Sequence, residues 1–387
     1  MPRLLITSRR LPLYTGGLAS YQKQLAEELS SRHQISVGFL AAGAGPESPG
    51  PPVLLPGPSS SWNVLKRKNL WMRLASRPLL HPLLQLWIST CFGRQLKASA
   101  LPIPRPDVIH FVGTGWDFAG FGFHHLARSL GARFTIWPAV HPGEWGDDAI
   151  DRRLYRLADA VFCQSEYEAA HLERGGLDSS KIVRCGLPPM CLPGRDGQVL
   201  RKALGMGERP VVLFLGRRDE GKGYPALLTA WQKVLVRHPE ALLMLSGPGG
   251  EEFRGLRDRL PAESFRDLGI ADEETKAQAL AACDVFCLPS THESFGIVFV
   301  EAWSYAKPVI CGPAPASREL IRDGQTGLHA DQNPDSIAAA LDHLLCDTPM
   351  RVSLGNAGLE FQQSALTWDI ISKIHREAFR FRPKNES

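Results

Sequence analysis

Short apolar runs alternate with longer stretches of helical spacing from Arg3 onward. "RLLIT" reads as a buried strand. "GLASYQKQLAEELSSR" follows, with Leu18, Tyr21, Leu25 and Leu29 on one helical face, and then "QISVGFL" as a second strand. "DVIHFV", "RFTIWPAV", "DAVFCQS" and "KIVRCG" continue the series, with helix-like segments between them. The stretch "AAGAGPESPGPPVLLPGPSSS" is a loop by its Gly, Pro and Ser content. Around residues 187–209 the alternation breaks, and it restarts with "VVLFLG", "ALLMLSG", "ESFRDLG", "DVFCLPS", "KPVICG" and "TGLHA". Helices are expected at roughly 272–282, 295–305 and 334–346, and again over 360–380.

Strand and helix in alternation predict parallel sheets with helices on both faces. The fold class is therefore α/β, with two Rossmann-like doubly wound domains facing each other across a cleft. The expected domains are 1–190, carrying an insertion at about 60–100, and 205–360, followed by a C-terminal helical tail, 361–387. In open parallel sheets ligands bind outside the carboxyl ends of the strands, and a cleft between two such sheets is the expected active site.

Composition narrows the chemistry. The 387 residues are 44% hydrophobic and 22% charged, enough apolar content for sizeable cores. A net charge of +4 is too mild to indicate a nucleic-acid partner, and none is expected. Cys283 and Cys287 flank "DVF", but no second pair follows, so no zinc site is expected there. Cysteines in apolar runs suit a reducing compartment, and no signal peptide is visible in "MPRLLITSRR". No Gly-x-Gly-x-x-Gly follows a strand and no Walker loop occurs, which counts against a nicotinamide dehydrogenase and a P-loop kinase. No Asp-x-Asp occurs either, so no metal-bridged diphosphate is indicated.

Two stretches carry candidate chemistry. In "FLGRRDEGKGYPALL" a strand ends at Gly216, and Arg217 and Lys222 follow on a Gly-rich connection into a helix. A guanidinium and an ammonium at the carboxyl end of a strand suit an anionic group. In "PSTHESFGIVFVEAW" a strand exits into "THESFG" and a helix begins. Glu293 lies in the exit loop, the amides of Phe295, Gly296 and Ile297 at the helix start favour a phosphate, and Glu301 lies well inside the helix. Glu301 has two acceptor oxygens for vicinal hydroxyls. The same positions also suit a buried acid with an arginine partner, for Glu301, and a helix cap, for Glu293.

Glu293-x7-Glu301, with "PS" before it and "FG" between, after a "GRRDEGKG" loop, resembles the retaining GT-B glycosyltransferases of family 4. The likeness extends over nearly the whole chain, through "TGGLASYQKQLAEEL", "DAVFCQSEYEAAHL", "LLMLSGPGG", "EAWSYAKPVICG", "IRDGQTGLHA" and "LTWD" in that order. The resemblance implies a nucleotide-sugar donor and a metal-independent transfer without a cofactor. Arg217 and Lys222 would bind the diphosphate and stabilise the leaving group. Glu293 would contact donor-sugar hydroxyls and Glu301 the ribose. Phe295, Gly296, Ile297, Ser294 and Gly216 would line the donor site. Gly16 and Gly17 would bring the N-terminal loop close to the diphosphate, and His141, in "WPAVHPGEW", would match a histidine near the sugar. Catalytic parts thus fall to Glu293, His141, Arg217 and Lys222, with no metal ligand. The chain departs from the family pattern at Ala306, where a glycine is usual, and in "GPAPASREL", "CGLP" and Pro142.

No acid occurs between Glu47 and Asp107, a stretch holding Lys66, Arg67, Lys68, Arg73, Arg77, Arg94, Lys97 and Arg105 among Trp62, Trp71, Trp87 and many leucines. Such segments can lie in an anionic lipid interface. The expectation is a cytoplasmic enzyme with peripheral contact to the inner face of the membrane. Its acceptor would be a glycan or lipid-linked glycan of cell-surface polysaccharide assembly. UDP is the expected base by family frequency. Two other readings share the architecture: a sugar-nucleotide epimerase, and a binding partner that has lost turnover.

Overall fold

The structure is a computed structural model that describes residues 1–8, 17–41, 77–83, 85–86, 101–117, 119–191 and 193–381. Gly16 and most of the basic insertion expected at 60–100 lie outside these residues. The chain divides into two compact units, Met1–Cys185 with Trp368–Ser387, and Gly186–Thr367.

The first unit is built on a six-stranded sheet in the order β2-β1-β3-β4-β5-β6. Its strands are β1 (Arg3–Ser8), β2 (Ser36–Ala41), β3 (Val108–Val112), β4 (Arg133–Trp137), β5 (Ala160–Cys163) and β6 (Ile182–Arg184). Every pairing is parallel. Both faces are covered, which is why the strands read as continuous apolar runs rather than alternating ones. Phe111, Phe123, Phe134, Ile136, Leu154 and Val161 are all buried in one core. The helix Gly17–His33 buries Tyr21, Leu25 and Leu29 of the face its spacing predicts, and the Leu18 side chain lies outside the described ones. Against it lies the last helix, Trp368–Phe379. Tyr21 stacks on Trp368 with centroids 5.3 Å apart, and its hydroxyl lies 3.3 Å from His375 Nε2. The helix predicted over 360–380 is in fact two: Thr348–Ala365 ends in the second unit, and Trp368–Phe379 begins the return to the first. The break falls at Leu366, whose backbone (φ −124°, ψ 52°) has left the helical region.

The second unit has its own six-stranded sheet, β12-β11-β10-β7-β8-β9. The strands are β7 (Val211–Leu215), β8 (Leu242–Ser246), β9 (Phe265–Asp267), β10 (Val285–Leu288), β11 (Val309–Cys311) and β12 (Leu328–His329), again all parallel. Counted within the unit, this is the strand order 3-2-1-4-5-6 of a doubly wound nucleotide-binding fold. The chain runs outward one way from β7 and the other way from β10, so the order reverses between these two neighbours. Trp231 and Trp303, both fully buried, anchor helices onto this sheet. Burial of side chains of this size contributes roughly 1.5–3 kcal/mol each.

Candidate active site

The loops that leave β7 and β10 meet beside the point where the strand order reverses, and most of the sequence-predicted residues lie on them. After Gly216 the first loop splits its two arginines. Arg217 points to solvent, with a side chain 69% exposed and a 3.4 Å ion pair to Asp219. Arg218 turns inward: its guanidinium holds Asp267 through both nitrogens, one at 2.8 Å, and lies over the Tyr224 ring at 5.9 Å. Only Arg217 is therefore available to a ligand. Asp219 also accepts the Lys222 amide at 2.9 Å, which curls the loop so that the Lys222 side chain crosses to the β10 exit. There the ammonium donates to Glu293 Oε1 at 2.6 Å and to the His292 carbonyl at 3.0 Å.

Both members of that ion pair are mostly shielded, with side chains 16% and 12% exposed. Further polar contacts fix the two loops together. Ser290 Oγ donates towards the Gly221 and His292 carbonyls at 3.0 Å each, and Gln332 Nε2 reaches the Glu220 and Pro289 carbonyls at 2.9 Å each. The turn "GPGG" after β8 closes in from the other side. Gly247 has φ +133°, and a Cβ there would stand 1.9 Å from the Gly216 carbonyl oxygen, so only glycine lets the two backbones approach.

The helix after β10 is shorter than its sequence suggested. It spans Ile297–Trp303, and Phe295 and Gly296 lie in the loop before it. Gly296 sits at φ +89°, a left-handed residue that sets the helix start, with no side-chain cap. Glu293 is thus not a cap; it is committed to Lys222. At the far end Ala306 takes φ +54° and stops the chain from continuing as a helix.

Glu301 is 2% exposed, and its partner is Lys276, at 3.2 Å, rather than an arginine. Burial pushes its carboxyl above the usual range, against the pull of that ammonium. Ser304 Oγ donates to the Glu301 carbonyl at 2.6 Å. The helix itself is held by Phe299, Val300, Ala302 and Trp303, all buried, and Trp303 Nε1 donates to the Thr326 carbonyl at 2.9 Å.

Gly216, Arg217, Lys222, Glu293, Ser294, Phe295, Gly296, Ile297 and Glu301 all lie in this unit, with Lys222 and Glu293 in direct contact and Glu301 paired with Lys276. Gly17 and His141 belong to the first unit. His141 lies in the loop after β4, where its amide and the Trp145 carbonyl pair at 3.0 Å. That loop is tied down by Glu168, whose fully buried carboxylate accepts the Val140 amide at 2.7 Å and the Gln164 amide at 2.8 Å. Burial pushes the Glu168 carboxyl up to about 7, with the two amides opposing. Sequence reasoning passed over Glu168, Asp219, Lys276, Ser290 and Gln332. An Asp two residues after Arg217 was a legible turn signal; Glu168 and Ser290 combine a local bond with distant ones, and Lys276 and Gln332 reach their distant partners only across the fold.

Comparison with known proteins follows the same two units. Residues 196–361 match the family described as Glycosyl transferases group 1, and residues 16–187 match the Glycosyl transferase 4-like domain. The GDP-mannose-dependent alpha-(1-6)-phosphatidylinositol monomannoside mannosyltransferase of Mycobacterium tuberculosis is 33% identical over 416 residues, covering 96% of each chain. The phosphatidyl-myo-inositol mannosyltransferase of the same organism is 42% identical over 132 residues, which is 33% of this chain and only 35% of that protein. Among solved structures, sucrose-phosphate synthase from Thermosynechococcus elongatus superposes with a TM-score of 0.72 at 20% identity, over 98% of both chains. A likeness of one third identity along the full length, on two parallel sheets of this order, settles the family: the chain is a member of the group 1 glycosyl transferases, with the GT-B fold.

Proposed function

We propose that the chain transfers a sugar, with retention of anomeric configuration, from a nucleoside diphosphate sugar to a hydroxyl of a lipid-linked glycan. The observation that carries this reading is the Lys222–Glu293 pair beside solvent-facing Arg217, at the carboxyl ends of β7 and β10. Two cations stand where a diphosphate would lie, and a carboxylate stands next to them for the sugar. Arg217 clamps phosphate oxygens and Lys222 adds a point charge, so the leaving group is stabilised without a bound metal being required. Glu293 contacts the sugar hydroxyls. Glu301 accepts from the ribose hydroxyls, held in place by Lys276. Gly216, Ser294 and the amides of Phe295, Gly296 and Ile297 line the same donor site. The parts given to His141, Gly16 and Gly17 rest on the family resemblance.

A nucleoside diphosphate is a good leaving group. The acceptor hydroxyl attacks the anomeric carbon on the face the diphosphate leaves, the bond to the phosphate oxygen breaks, and that oxygen takes the hydroxyl proton. No enzyme nucleophile is needed. The name of the full-length relative makes GDP-mannose the donor and a phosphatidylinositol mannoside the acceptor of first choice, ahead of the UDP-sugar expected on frequency. Nothing among these relatives favours the epimerase or the reading without turnover.

No helix among the described residues is long and apolar enough to cross a membrane. Within the basic stretch, Leu79 is 92% exposed and Leu83 and Leu86 are 65% exposed, close behind Arg77. An apolar surface next to Arg77 suits peripheral contact with anionic lipid.

The test is transfer itself. The purified chain is incubated with GDP-mannose and phosphatidylinositol mannosides in anionic vesicles, and lipid-bound mannose is measured, with its anomeric configuration assigned by NMR. The reading expects α-linked mannose on the lipid. Transfer from UDP-glucose alone would reject the donor, and a β-linked product would reject retention.

A further inference from the structure

The helices Tyr224–Arg237 and Pro334–Cys346 pack against each other, and three unlike donor groups converge where they end. His238 closes the first helix, with its amide on the Val234 carbonyl at 2.9 Å. Its Nε2 lies 2.9 Å from Asp342 Oδ1. Cys346 Sγ lies 3.8 Å from that same Nε2 and 3.8 Å from that same Oδ1. Asp342 and Cys346 are four residues apart on one helix and so share a face. The three donor atoms fall within 4.8 Å of one another.

An ion pair between His238 and Asp342 would account for two of these groups. The thiol, free of any disulfide and exposed, is held only by long contacts of 3.8 Å to each of these atoms. A tetrahedral centre does account for all three. Nitrogen and oxygen ligands at about 2.0–2.1 Å and sulfur at about 2.3 Å span edges of roughly 3.3–3.6 Å, which the observed 2.9 and 3.8 Å separations bracket. The second oxygen of Asp342 is held by Arg237 Nη1 at 2.5 Å, which orients the carboxylate and leaves Oδ1 for the centre. A hollow of about 510 Å³, lined by Lys233, Val234, Ala338, Asp342, His343 and Cys346, opens alongside and gives water a way to a fourth position.

We propose that His238, Asp342 and Cys346 form a three-ligand site for one divalent transition ion of the zinc class, which thiolate and imidazole together select over magnesium or calcium. The Tyr224–Arg237 helix has 14 residues, so the site lies about 20 Å along it from the Lys222 loop. The ion therefore joins the ends of two helices and takes no part at the reacting atoms. Chelator effects on stability would then be separable from effects on transfer.

The metal-stripped full chain is titrated with Co²⁺ and followed by absorption. One equivalent should bind with a thiolate-to-cobalt charge-transfer band and tetrahedral d–d bands, and Zn²⁺ should displace it. Cys346→Ser, a change at an exposed position, should abolish the charge-transfer band. His238→Gln should weaken binding more than about tenfold. Zn²⁺ should raise the unfolding midpoint of the wild type and not of Cys346→Ser. Absence of stoichiometric binding at micromolar Co²⁺, or an undiminished band in Cys346→Ser, overturns the proposal. None of these readouts uses sugar transfer, so the site stands or falls apart from the proposed donor chemistry.

Discussion

Two neighbouring arginines in one loop have opposite fates, and the difference is measurable. Arg217→Ala should reduce kcat/KM for transfer by about a hundredfold or more with little change in unfolding midpoint, because the side chain is exposed and, in the proposed function, binds the leaving group. Arg218→Ala should instead cost roughly 1.5–3 kcal/mol of stability, because it removes a nearly buried guanidinium bonded to a carboxylate, although Asp267 keeps Arg257 at 3.2 Å. Equal effects of the two changes on both readouts would contradict the assignment. Glu293→Gln keeps the shape and loses the charge facing Lys222. Turnover should fall about a hundredfold through lost positioning of the sugar, while circular dichroism stays unchanged; near-wild-type turnover would remove Glu293 from the reaction. The sequence shows that both arginines and both acids are present, and the spacing of the strand exits places them at one end of a sheet. It cannot show which arginine turns inward. Asp267 is 49 residues from Arg218, and Lys276 is 25 residues from Glu301. Such pairings exist only once the sheet has brought the segments together.

Elements were more legible than pairings. Every run read as a strand is a strand; the inner ones are mostly apolar because parallel strands covered on both faces must be, while the edge strands β6 and β9 carry Arg184, Arg266 and Asp267. The misjudged boundaries are local. The helix before Trp303 starts late because Gly296 is left-handed, and the tail breaks at Leu366. One departure from the family pattern now has a physical meaning. Ala306, where glycine is usual, holds φ +54° at the turn into β11, and its carbonyl lies so close to Gly355 that a Cβ there would approach to 2.0 Å. A left-handed alanine carries a strain of about 1–2 kcal/mol, part of which the greater freedom of an unfolded glycine would offset. Ala306→Gly should therefore raise stability by roughly 0.5–1 kcal/mol in urea unfolding. An unchanged or lowered midpoint would mean that the turn is not strained.

Across the molecule, buried histidines tie the stability of the first unit to pH. His375 is fully buried beside Phe162, with Nδ1 on the Ile371 carbonyl at 2.9 Å and Nε2 facing the Tyr21 hydroxyl; burial holds its pKa down at about 4. His110, buried nearby against Phe162, is pulled well below its usual value for the same reason. The unfolded chain protonates these rings near pH 6.5; in the folded chain His375 resists to about 4, and His110 is held well below its usual value. The histidine contribution to stability is therefore complete above about pH 6.5 and is lost as the pH falls towards 4, on the order of 3 kcal/mol for His375. Glu168 of the same unit, pushed up to about 7, acts in the opposite sense over this range, so the histidine contribution is read as a difference: between pH 7 and 5 the denaturant midpoint of the wild type should fall relative to that of His375→Gln; parallel profiles would contradict the buried neutral ring. The strand order of the second sheet is the largest feature the sequence withheld, since the hydrophobic pattern is silent on which strand neighbours which. That order places the reversal between β7 and β10, on which the donor assignment depends. The most direct test of that assignment is thermal unfolding with GDP in EDTA, for the wild type and for an Arg217→Ala/Lys222→Ala variant. The wild type should be stabilised by about 2.7 kcal/mol at a hundred times the dissociation constant, and the variant should show no shift. No stabilisation of the wild type at millimolar GDP or UDP, or an equal shift in the variant, would contradict a donor site at these two strand exits.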